Sequence, residues 1–212
     1  MEPQVLTENR GPFACLDEEA PLFEAHSTQG MVRLRDYRGS WVLLFAHPAD
    51  FTPVCTSEFV ALARHQEVFD ALGCRLIGLS VDSVYAHLAW FDQIEADFGV
   101  RPSFPLLEDP SLAIARAYGM LHDGSSSTAM VRSVFVIDPE GIVRATLTYP
   151  MSVGRSVSEL LRLVAALQAT ADGQGVTPEG WKEGEPLLRS APRTEEESRR
   201  RLAEDAHAEA AE

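Results

Sequence analysis

One cysteine in this chain sits where a thiol can be put to chemical use. Cys55 ends the run His47-Pro48-Ala49-Asp50-Phe51-Thr52-Pro53-Val54-Cys55, which contains Pro-x-x-x-Thr-x-x-Cys. The run lies between a continuous apolar segment, Trp41 to Ala46, and an amphipathic helical pattern. Cys55 therefore falls in the first turn of a helix. Unpaired backbone N–H groups and the positive end of the helix dipole favour an anion there. A thiol in that position loses its proton more easily than a free cysteine, and the thiolate is the nucleophile. A lone cysteine is more often a small core hydrophobe; the Pro, Thr and helix-start context argues for reactivity. Thr52 stands where a Cys-x-x-Cys oxidoreductase has its other cysteine, so the internal disulfide of such an enzyme is unavailable. A hydroxyl in that place can instead hydrogen-bond a thiolate and an oxygen-containing substrate.

Positioning such a thiol requires a scaffold, and the apolar pattern supplies one. Met31 to Leu34 reads as a brief strand, with a turn at Arg38-Gly39-Ser40. Trp41 to Ala46 has the texture of a strand buried on both faces. A helix is expected from about Cys55 to Leu72, with Phe59, Leu62, Phe69 and Leu72 on one face and Gly73 ending it. Leu76 to Val81 is a second buried strand. Asp82 or Ser83 then caps a helix to about Phe98, whose apolar face is Leu88, Phe91, Ile94 and Phe98. This β-α-β-α order implies parallel strands. Phe104 to Leu107 reads as a short strand that Pro105 would confine to an edge. Ser111 to Tyr118 is a short helix. Asp138-Pro139-Glu140-Gly141 joins Val134–Ile137 to Ile142–Tyr149 as a hairpin. A last helix covers Val157 to Ala169. The order is that of a thioredoxin-like α/β core. Residues 1–170 form that domain, and residues 171–212 form a Gly/Pro-rich arm with a charged tail from Thr194.

Composition narrows the function. A chain of 212 residues with 45% hydrophobic content can bury one substantial core. The formal net charge of −14 repels phosphate backbones and argues against nucleic acid. No run of about 18 apolar residues is present to span a membrane, and Met1 to Arg10 lacks an apolar signal region. Three widely spaced cysteines, Cys15, Cys55 and Cys74, fit free thiols in a reducing, cytoplasmic compartment. His26, His65, His87, His122 and His207 have no metal-ligand spacing.

The active-site run resembles that of the peroxiredoxins, thiol peroxidases of thioredoxin-like fold. The wider match is to the one-cysteine, peroxiredoxin-6-like class. It continues through Leu79 to Trp90, Arg132 to Pro139, Tyr149-Pro150, Gly154-Arg155, Thr177-Pro178 and Trp181-Lys182. The resemblance implies that Cys55 attacks a peroxide oxygen and becomes a sulfenic acid. It implies that Arg132 and Arg155 stabilise negative charge beside the sulfur and that Glu58 orients them. Thr52 then bonds the thiolate and the peroxide, Pro48 shields the thiolate, and His47 stands near the peroxide. Each has a passive alternative: solvated cations for the arginines, a first-turn carboxylate for Glu58, a helix-start hydroxyl for Thr52, a turn former for Pro48, a structural role for His47.

No cysteine follows Cys74, so a C-terminal resolving cysteine is absent and an outside thiol must reduce the sulfenic acid. The resemblance further implies a homodimer with crossed arms, rings of such dimers, and no metal, haem or flavin. Trp181, Leu187 and Leu188 fit docking of the arm. Arg38 and Val42 stand where some members have the flanking glycines of a lipase-like Gly-x-Ser-x-Gly around Ser40, which argues against phospholipase activity. Two rivals remain: a chaperone or peroxide sensor switched by Cys55 oxidation, and a thiol–disulfide oxidoreductase.

Overall fold

The computed structural model describes residues 4–5, 13–121 and 130–201; His122, His207 and the end of the charged tail lie outside them. Two compact units divide the chain, Met1–Val164 and Ala165–Glu212. In the first, the described residues form one eight-stranded sheet. Its strands are β1 (Gln4–Val5), β2 (Phe23–Ser27), β3 (Gly30–Arg33), β4 (Trp41–Ala46), β5 (Cys74–Ser80), β6 (Leu106–Glu108), β7 (Arg132–Ile137) and β8 (Val143–Tyr149). The order is β1-β2-β6-β5-β4-β7-β8, with β3 paired to β2. β4 runs parallel to β5 and antiparallel to β7.

Central β4 is apolar throughout because both faces are covered. Val42, Leu44 and Ala46 join the cluster that includes Phe23, Tyr118 and Phe135. Leu43 and Phe45 point the other way, where Phe45 packs at 5.5 Å from Phe59 and 5.6 Å from Phe104. Strand alternation carries His47, just beyond β4, to that second face; its ring lies 4.8 Å from Phe59. The register Phe45↔Val134, continued by two residues, brings Arg132 level with His47 on the same face.

The helices are α1 (Pro53–Arg64), α2 (Gln66–Ala71), α3 (Val84–Phe98), α4 (Ala113–Ala117) and α5 (Val157–Ala169). Several expectations are corrected. The helix expected as one piece over 55–72 breaks at His65, whose backbone leaves helical geometry while its Nδ1 bonds the Ala61 carbonyl. The strand near Pro105 is internal, between β2 and β5. Pro105 precedes it, where no ladder donor is required, and its carbonyl accepts the Gly78 N–H. On α3 the buried face is His87, Trp90, Phe91 and Ile94, whereas Leu88 and Phe98 are exposed. Polar anchoring explains the rotation: His87 bonds Asp50 and Trp90 Nε1 donates to Thr56 Oγ1. Ser83 caps α3 by accepting from Ala86 N, and Gly99 ends it with a φ of 67°. Gly141 closes the β7–β8 hairpin at a φ of 78°.

In the second unit, Val176 and Leu188 form a β-bridge with reciprocal N–H···O bonds. Trp181 is buried and its Nε1 donates to the Glu185 carbonyl. It is therefore spent within its own chain, which corrects its expected role in docking. Leu188 is exposed.

Candidate active site

Helix α1 presents the reactive group. Thr52 is its N-cap and Pro53 its first residue, where the missing N–H costs nothing. Cys55 is the third helical residue. The buried stripe of α1 runs Cys55, Glu58, Phe59, Leu62, so helical spacing delivers the thiol and the carboxylate to the same face as the apolar anchors. Cys55 is fully buried.

Two arginines meet there from distant segments. Arg132, at the start of β7, places Nη1 3.4 Å from Cys55 Sγ and 2.7 Å from Glu58 Oε2. Its Nε donates to the Met151 carbonyl. Arg155, in the loop before α5, donates to Glu58 through its backbone N, Nε and Nη2 at 2.7, 2.9 and 2.8 Å. Its Nη1 reaches the Ala46 and Ser133 carbonyls, and the guanidinium lies 5.3 Å from the Phe45 ring centre. All three side chains are no more than 3% exposed. Burial alone would raise the Glu58 carboxyl, but the hydrogen bonds and charge of Arg155, with Arg132, outweigh it and hold Glu58 below its ordinary value. Glu58 thus offsets one of two buried cations. The remaining positive charge faces the sulfur, where an N–H donor stabilises an anion.

The other expected residues take separate places. Pro48 is buried in the loop between β4 and α1. Thr52 is half-buried and its hydroxyl donates to the Ala49 carbonyl at 3.0 Å, so its oxygen retains acceptor capacity. His47 is fully buried, with Nε2 2.7 Å from Asp50 Oδ1. Burial pushes His47 below the ordinary histidine range against the opposing pull of the Asp50 hydrogen bond. Asp50 and His87 were not legible as site residues. Asp50 Oδ2 lies 2.7 Å from His87 Nδ1, and His87 Nε2 lies 3.2 Å from the Leu107 carbonyl. The only sequence signal was their position inside the two quoted motifs. Phe51, beside Thr52, is held at a φ of 60°, uncommon for a side-chain-bearing residue, so the loop into α1 is tightly constrained.

His47, Asp50 and Asp82 offer ligand atoms within 4.8 Å of one another. The carboxylate oxygens are already engaged, those of Asp50 by two imidazoles and Asp82 Oδ2 by the Asp50 N–H and the Ser80 hydroxyl. The cluster is a hydrogen-bond network rather than an open ligand set. Of the other thiols, Cys74 is buried in β5, and burial pushes its thiol up to about 12; it is a poor nucleophile. Cys15 is exposed and donates to the Phe13 carbonyl.

A helix-start cysteine beneath an Arg–Glu–Arg clamp, on a thioredoxin-like sheet, defines a thiol-dependent redox enzyme. The comparisons supply the family. The AhpC/TSA family matches residues 16–146, and the C-terminal domain of 1-Cys peroxiredoxin matches residues 166–204. A peroxiredoxin of Aquifex aeolicus is 51% identical over 168 residues, 78% of this chain and 75% of that protein. Peroxiredoxin 2 of Caldanaerobacter subterraneus is 44% identical, covering 90% of this chain and 88% of its own. The yeast mitochondrial 1-Cys peroxiredoxin superposes with a TM-score of 0.79 at 39% identity, covering 89% of this chain and 92% of its own; its thiol is resolved via glutathione/thioredoxin systems. A mutant of peroxiredoxin 6 from Arenicola marina gives a TM-score of 0.79 at 35% identity, covering 88% of each chain. The chain belongs to the peroxiredoxins, thiol-dependent peroxidases, and carries the C-terminal domain of their 1-Cys class. Among the described residues, no helix is long and apolar enough to cross a membrane.

Proposed function

We propose that the chain reduces hydrogen peroxide and small organic hydroperoxides at Cys55 through a sulfenic acid. The thiolate attacks one peroxide oxygen, an S–O bond forms and the O–O bond breaks. Sulfur is oxidised, and the other oxygen leaves with both bonding electrons, takes a proton and departs as water or an alcohol. Arg132 stabilises the attacking sulfur and the developing oxygen charge. Glu58 and Arg155 hold Arg132 in place. Thr52, whose proton is committed to Ala49, accepts a hydrogen bond from the peroxide; His47 stands beside it and Pro48 keeps bulk water away. An external thiol then attacks the sulfenic acid, releasing water and leaving a mixed disulfide, which a second thiol cleaves to regenerate Cys55. The observation that carries this reading is the 3.4 Å contact between Arg132 Nη1 and the Cys55 sulfur, shared with Glu58.

Residues 1–170 carry this chemistry, and residues 171–212 serve dimerisation, with Leu188 and Val176 exposed for docking on a second copy. The test is peroxide consumption with an added thiol by wild type and Cys55→Ser. Cys55→Ser is expected to be inactive, with a sulfenic-acid trap labelling wild type at Cys55. Turnover by Cys55→Ser would overturn the assignment.

A further inference from the structure

One buried polar atom beside the site has no partner. His47 is fully buried, and its Nδ1 makes no hydrogen bond among the described residues. Its Nε2 faces Asp50 Oδ1 at 2.7 Å. Burial would raise the Asp50 carboxyl, but the hydrogen bonds of His47 and His87 outweigh it and keep the group ionised. An ionised carboxylate only accepts, so Nε2 carries the His47 proton. Burial keeps the ring neutral, and Nδ1 is left with a bare lone pair. A buried acceptor without a donor is costly, and such orphans need an explanation.

We infer that Asp50 is a positioning residue for the reduction of hydrogen peroxide: its carboxylate, braced by His87, fixes the His47 tautomer whose bare Nδ1 accepts from the peroxide O–H that Thr52 does not take. The inference rests on the reading that His47 stands beside the peroxide. The opposite tautomer would turn the Nε2 lone pair against a carboxylate oxygen, which is repulsive. Asp50 has little freedom to move away. Its second oxygen is bound to His87, itself seated against the Leu107 carbonyl of β6, and its backbone N–H is held by Asp82 Oδ2 at 2.8 Å. The His47 ring also packs against Phe59 at 4.8 Å and Trp90 at 5.3 Å, which limits its rotation. Asp50 therefore plays toward His47 the part that a buried aspartate plays toward a histidine base: it selects the tautomer and does not itself react.

The test is nitrogen NMR of the reduced, full-length protein with labelled histidine, together with stopped-flow oxidation by hydrogen peroxide. Wild type is expected to show His47 protonated at Nε2 and bare at Nδ1. Asp50→Ala should give a mixture of tautomers and a fall in oxidation rate of about tenfold or more. Asp50→Asn provides the rescue. Its amide oxygen can accept from His47 Nε2 while its NH2 donates to His87 Nδ1, and His87 Nε2 then donates to Leu107. That variant should restore the single tautomer and most of the lost rate. A proton on Nδ1 in wild type, or a slow Asp50→Ala that keeps the wild-type tautomer, would overturn the inference. So would tautomers that mix without loss of rate, or a slow Asp50→Asn with the wild-type tautomer. The spectra are read without substrate, whereas failure of the peroxidase reading appears separately as turnover by Cys55→Ser.

Discussion

Arg132 and Arg155 touch the same carboxylate, yet replacing each should damage a different property. Arg132→Ala removes the donor at 3.4 Å from Cys55 Sγ and one of the bonds to Glu58. Glu58 keeps the backbone N, Nε and Nη2 of Arg155, so no buried charge is left unpaired. The stability cost is then that of lost hydrogen bonds to charged groups, on the order of 1–3 kcal/mol. Losing a donor aimed at developing charge costs about 2.7–4 kcal/mol in the transition state, a fall of roughly 10²–10³ in rate. Arg155→Ala reverses the balance. Two charged bonds to Glu58 disappear and the Ala46 and Ser133 carbonyls lose their donor; Glu58 keeps Arg132 Nη1 at 2.7 Å, so the cost is that of more lost bonds to a charged group, roughly 3–6 kcal/mol for the two. Its rate effect is indirect, through looser placement of Arg132. Stopped-flow oxidation by peroxide measures the rates, and urea unfolding measures the stabilities. The reasoning fails if folded Arg132→Ala reacts at the wild-type rate, or if Arg155→Ala proves the more stable of the two.

Glu58 makes stability depend on acid. Burial raises its carboxyl, the arginines outweigh that, and the folded value ends below the unfolded one. Its contribution is therefore present above the unfolded value of about 4.3 and is lost as pH falls through the folded one. Glu58→Gln should lower the urea midpoint at neutral pH and flatten its decline in acid; parallel profiles for the two proteins would refute this. Cys74, raised to about 12 by burial, should resist a bulky thiol reagent at pH near 8 in the native protein, while exposed Cys15 reacts; native labelling of Cys74 would contradict the burial argument. For the arm, light scattering should find full-length protein dimeric at micromolar concentration. Val176→Asp with Leu188→Asp should shift it toward monomer; an unchanged mass would place the dimer contact elsewhere.

What the sequence determined by itself is what neighbours within a turn or two determine. The span Trp41–Ala46, a helix start close to Cys55, a cap at Asp82 or Ser83 and the turn at Gly141 rest on local sterics and hydrogen bonds, and their signals lie beside them. Cys55 and Glu58 share a stripe because three residues make nearly one helical turn. The folding of one site around them was set at longer range. Arg132 reaches Cys55 across 77 residues, and Arg155 reaches Glu58 across 97. Residue type alone left both arginines open to a reading as solvated cations; it was the family resemblance that pointed to the site. The tertiary structure decides through the β4–β7 register, where a slip of one residue would turn Arg132 to the opposite face of the sheet. The Asp50–His87 pair, the rotation of α3 and the internal place of β6 have the same origin. Each depends on which surfaces meet once the sheet is assembled, and no periodicity within a single segment encodes that meeting.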